Sequence, residues 1–132
     1  PARTSNDMGL DRAVSIPAGA APAWDEIKLR LVSIDEPAPL RMIDGQPAFP
    51  DDVPDAGWRE LRVGAGGGMI TIRRAPGFIT CVVWSSADPA LLAARDRVAW
   101  ACAAAAGGTV QTDTGSAVSP TEFAQQLCIS PA

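Results

Sequence analysis

Residues 69–84, Met-Ile-Thr-Ile-Arg-Arg-Ala-Pro-Gly-Phe-Ile-Thr-Cys-Val-Val-Trp, contain two alternating apolar runs separated by Ala75-Pro76-Gly77-Phe78. Pro second and Gly third is the order a type II turn requires, because its third residue sits at positive φ. The stretch therefore reads as a β-hairpin. With Arg74 opposite Ile79, the register puts Ile70, Ile72, Ile79, Cys81 and Val83 on one face. Met69, Thr71, Arg73, Thr80, Val82 and Trp84 fall on the other. The wholly apolar set is the predicted core.

Working outward, Trp58 to Val63 supplies a preceding strand and completes a meander, joined through Gly64-Ala65-Gly66-Gly67-Gly68. That glycine run lies between two antiparallel strands and lacks the Lys-Ser/Thr of a phosphate loop, so it reads as a mobile hairpin loop. Downstream, Asp88-Pro89 forms an N-cap followed by Pro at the first helical position, and Gly107-Gly108 stops the helix after Ala106. Thr109 to Thr112 reads as a last short strand. Ser119-Pro120-Thr121-Glu122 is a capping box that opens a C-terminal helix.

Upstream, Ile27, Leu29 and Leu31 alternate with Lys28 and Arg30, the period of a half-buried strand over 27–34. Residues 35–57, with five prolines, read as a long irregular connection packed over the sheet by Leu40, Met42, Ile43 and Phe49. Residues 1–23 read as a tail, native or expression-derived, with Met8 as a natural start, packed on the body or on a neighbour. A short strand around Arg12 to Ile16 would order it. Residues 24–132 then form one α+β domain. It is a two-layer sandwich: an antiparallel meander sheet of four to five strands on one long helix, with a short C-terminal helix.

The chain has no His, which excludes Ser-His-Asp and Cys-His catalysis and His-ligated metal from its own residues. Cys81, Cys102 and Cys128 have no CxxC spacing and read as buried free thiols in a reducing compartment. A net charge of −4 opposes nucleic acid and anionic membranes as partners. The longest uninterrupted apolar run, from Val98 to Ala106, is too short for a membrane span. A soluble, cytoplasmic protein without a cofactor or catalytic residues is expected.

Five residues stand out as candidate binding residues. Arg95 falls within the apolar stripe of the long helix, where its charge must find a carboxylate of the 35–55 loop or an anionic ligand, or extend past the edge of the core. Trp100 lies on the opposite side of that helix and implies cover by the chain's tail or by another subunit. Trp58, Arg73 and Trp84 share the outer face of the meander with Glu60 and Arg62, a composition typical of interaction surfaces.

From Trp58 to Phe123, and above all in GGTVQTDTGSAVSPTEF (Gly107 to Phe123), the layout resembles small uncharacterised bacterial α+β proteins. Some of these are immunity or accessory proteins that work by binding. The resemblance implies a role in binding, and the Trp/Arg sheet face makes a non-enzymatic interaction role, with a protein or a second copy as partner, the leading reading. The alternative is a small-molecule or anion pocket, or a small enzyme, between the 35–57 loop and the sheet.

Overall fold

The computed structural model describes residues 11–84 and 88–129. Gly77 sits at φ 86° and Ala75 pairs with Phe78, so the turn closes the hairpin with Arg74 opposite Ile79. The strands are β1 (Asp11–Ser15), β2 (Leu40–Ile43), β3 (Gln46–Pro47), β4 (Glu60–Ala65), β5 (Gly68–Ala75), β6 (Phe78–Val82), β7 (Thr109–Gln111) and β8 (Ala117–Val118). The helices are α1 (Trp24–Ser33), α2 (Pro89–Ala106) and α3 (Pro120–Leu127). The fold is α+β, but the sheet has eight antiparallel strands rather than four or five, in the order β3-β2-β4-β5-β6-β1-β7-β8.

Three differences from the sequence reading enlarge the fold. The segment 27–34 is helical, as part of α1. Trp24, Ile27 and Leu31 are buried at i, i+3 and i+7, while Leu29 and Val32 are exposed. Helix formation buries the large Trp24 as well, and burying such side chains is worth roughly 1.5–3 kcal/mol each. Asp25 and Glu26 in its first turn and Arg30 in its last suit the helix dipole. Glu26 also accepts the Ala23 N–H at 3.2 Å.

The second difference lies in the 35–57 connection, which holds a hairpin. Asp44 (φ 47°) and Gly45 (φ 83°) form a two-residue turn of the left-handed kind that matches strand twist, joining β2 to β3. The loop extends the sheet edge instead of lying over it, and Phe49 remains 74% exposed. The third is β1: the short strand expected around 12–16 forms over Asp11–Ser15, but as an interior strand between β6 and β7 rather than as part of a tail. Residues 1–10 lie outside the described residues.

α2 packs across the inner face, with Asp88 Oδ1 accepting the Leu91 N–H at 2.9 Å and Gly107 closing it at φ 69°. Ile70, Ile72, Ile79, Cys81 and Val83 are all fully buried beneath it, as the hairpin register requires. α1 and α3 both pack on α2, so the helix is covered by the chain's own helices and Trp100 is buried. Neither a tail nor a second subunit is needed there. The glycine run is not a mobile loop: a Cβ on Gly66 would lie 2.8 Å from the Ala90 carbonyl oxygen, so the hairpin tip is wedged against α2.

Arg12 fastens the layers together. From β1 it donates to Asp96 Oδ1 on α2 (2.9 Å), to the Gln111 carbonyl (3.1 Å) and to Asp113 (2.9 Å). Its guanidinium lies 6.0 Å from the Phe123 ring centroid of α3. Burial alone would lower its pKa, but Asp96 and Asp113 outweigh burial and raise it.

The thiols divide by environment. Cys81 and Cys102 are buried and free, and the Cys102 thiol is pushed well up by its hydrogen bond to Cys81 and by burial. Cys128, expected to be buried, is exposed because it ends α3 in the left-handed conformation (φ 58°). Thiol labelling of the native protein should show one fast site, Cys128, and two slow ones. Fast reaction at Cys81 in folded protein would contradict this packing.

Candidate functional site

The outer face of the sheet, opposite α2, is built by the even–odd alternation of β4, β5 and β6. In β4, Leu61 and Val63 point to the core, leaving Glu60, Arg62 and Gly64 outward. Their partners Arg73, Thr71 and Met69 share that face, and Val82 follows opposite Thr71. Trp84 stands two residues beyond Val82 and is 54% exposed. Met69 and Phe78 are also exposed.

Arg73 organises the centre of this face. Its Nε donates to Glu60 Oε1 at 3.1 Å, and its guanidinium lies 5.6 Å from the Trp84 ring centroid. The ring and the charge hold each other in a fixed pose, and such contacts are worth roughly 0.5–1 kcal/mol at exposed sites. Glu60 also faces Arg62, with Oε2 at 3.8 Å from Arg62 Nε, so one carboxylate serves two guanidinium groups. Arg62 Nε is buried without a hydrogen bond.

At the hairpin end of the face lies an open groove of about 500 Å³, lined by Pro39, Arg41, Gly64, Ala65, Gly67, Gly68 and Met69. Arg41 occupies a bulge in β2 and lies over Gly64, where a Cβ would approach its Nε to 3.3 Å. The Arg41 guanidinium has no hydrogen bond or ion pair among the described residues.

The structure separates the five candidates. Arg73 and Trp84 meet on the outer face. Trp58 does not join them: it is 1% exposed, under the Arg74 guanidinium at 4.1 Å from its ring centroid. The cause is Asp44, whose Oδ1 accepts the N–H groups of Arg59 and Glu60 at 2.8 Å each and turns the chain just before β4 begins. Those two N–H groups, Glu60 foremost, hold the Asp44 carboxyl below its usual pKa. Arg74 locks the turn by donating to the carbonyls of Pro22 (2.9 Å) and Ala56 (2.6 Å).

Arg95 is buried, as its position in the stripe implies, but its carboxylate is Asp96, at 2.8 and 3.0 Å, and not an acid of the 35–55 loop. That loop's Glu36 is bound by Arg97 instead, because α1 delivers Glu36 to the Arg97 flank of α2. Trp100 is buried beneath helices. Arg95 and Trp100 thus belong to the interior. Arg41, Met69 and Phe78 are outer-face residues that the sequence reading left out of the candidate set; the β2 bulge that presents Arg41 has no local sequence signature.

No group of three or more His, Cys, Asp or Glu able to hold a metal occurs among the described residues, and no described helix is long and apolar enough to cross a membrane. No protein-family model, curated protein or solved structure matches the chain.

Proposed function

We propose that this chain is a non-enzymatic protein-interaction module of the bacterial cytoplasm, an accessory protein of the kind its layout resembles, whose outer sheet face meets a second copy. The observation that carries this reading is Trp84, 54% exposed beneath Arg73, with Met69 and Phe78 also exposed on the same face while Thr71 and Val82 are buried. Tryptophan and arginine are the residues most enriched among anchors of protein contacts. The sheet edges support the same reading by exclusion. β3 and β8 have two residues each, β3 contains Pro47, and Pro120 follows β8 closely, so neither edge offers a template for strand pairing. Three free thiols suit a reducing compartment.

Sedimentation tests it. The unmodified chain should run as a dimer at micromolar concentration, and Trp84→Glu as a folded monomer. An unmodified chain that is monomeric removes the interaction reading. The Arg41 groove then leads as a site for a small anion, the second reading, favoured by the unpartnered Arg41 guanidinium.

A further inference from the structure

Resting on that reading, we infer that the counterpart of the Arg/Trp face is the acidic loop 49–55 of a second copy. On β2, β4, β5 and β6 the face presents Arg41, Arg62 and Arg73 against a single acid, Glu60. Asp11 of β1, opposite Val82, adds a second acid to the face, leaving three arginines against two acids. Local charge is therefore positive on a chain whose net charge is −4. Two such faces laid directly on each other would repel.

The same chain carries a patch of opposite charge. Phe49-Pro50-Asp51-Asp52-Val53-Pro54-Asp55 leaves β3 with Phe49 74% and Val53 72% exposed, interleaved with three aspartates. The side chains of Asp51 and Asp55 have no partner among the described residues. The loop is pre-shaped: the Phe49 N–H donates to Asp52 Oδ2 at 2.8 Å, and the Asp52 N–H returns to the Phe49 carbonyl at 3.0 Å. With two prolines besides, it loses little freedom on docking, which is the main cost of binding through a loop.

Shape agrees with charge. The open groove of about 500 Å³ beside Arg41, lined by glycines with Pro39 and Met69, has room for the Phe49 ring together with neighbouring loop residues and carries the Arg41 cation. Four strands at ~4.8 Å spacing and about six residues at ~3.3 Å rise give roughly 400 Å² of flat face. A two-fold pair uses one face and one loop from each copy, reaching the ~800 Å² per partner of stable complexes.

The test is a charge swap. One variant carries Asp51→Lys with Asp55→Lys, and the other Arg41→Glu with Arg73→Glu; all four positions are exposed, and because Arg73→Glu faces Glu60 across the strands, a thermal melt of each variant confirms that it folds before its association is read. Each variant alone should be monomeric at concentrations where the unmodified chain is dimeric, with Kd raised at least about 100-fold. Their equimolar mixture should restore the dimer, because both loop-to-face contacts again join opposite charges. If the loop variant dimerises as tightly as the unmodified chain, this inference is wrong while the face reading stands. If the face variant does so, both are wrong. A mixture that stays monomeric overturns the pairing of loop with face.

Discussion

Asp96→Ala should destabilise the fold by about 3 kcal/mol, since removing one partner of a buried ion pair costs roughly 3–5 kcal/mol. Asp96 Oδ1 accepts from Arg12 Nε at 2.9 Å and from Arg95 Nε and Nη2 at 3.0 and 2.8 Å. Both guanidinium groups are deeply buried, at 6% and 4% residue exposure. The lower end of the range applies because Arg12 keeps the Gln111 carbonyl and Asp113. Asp96→Asn retains an acceptor oxygen and should lose less. A urea melt reads both; a loss under about 1 kcal/mol for Asp96→Ala, far below the buried-pair range, would place the two guanidinium heads in solvent instead.

Gly108→Ala should be at least as damaging, by about 3 kcal/mol or more, the top of the range for overpacking. A Cβ there would sit 2.1 Å from the Ser15 carbonyl oxygen and 3.2 Å from Ile16 Cα. Those are backbone atoms of β1 and its end, and no rotamer change relieves the contact. Because β1 pairs with β6 on one side and β7 on the other, its displacement disturbs two ladders. Gly107→Ala is the control. It meets open space, and only its φ of 69° is strained, a loss of roughly 1–2 kcal/mol. Equal melts for the two variants would contradict the close approach.

Where the determinants are local, the sequence announces the fold. Ala75-Pro76-Gly77-Phe78 sets the hairpin and its register, and Asp88-Pro89 with Gly107 bounds α2 within a residue. The misreadings come from patterns that satisfy two periods or depend on distant residues. Ile27, Leu29 and Leu31 alternate like a strand, yet Trp24, Ile27 and Leu31 also form a helical stripe, and packing on α2 decides for the helix. The β2–β3 hairpin was missed although its signal is local: Asp44-Gly45 is a dipeptide suited to that turn, hidden among the prolines of a segment read as irregular.

Of the candidate site, Arg73 and Trp84 were readable from alternation alone, because the hairpin register fixes their face. Trp58 was not. Strand alternation sends it outward with Glu60, and only the Asp44 carboxylate, brought in by the neighbouring turn, folds it under Arg74. The pairing of Arg95 with Asp96 was equally hidden, because adjacent residues of a helix do not ordinarily face each other and the sequence pointed to a more distant acid.

The central claim, that the face around Trp84 is covered by a second copy, is tested most directly by acrylamide quenching over a dilution series. Trp24, Trp58 and Trp100 are 2%, 1% and 4% exposed against 54% for Trp84, so the quenchable fluorescence reports that face. The account predicts weak quenching at high protein concentration that rises on dilution as the dimer parts. Strong quenching that is the same at every concentration would contradict it.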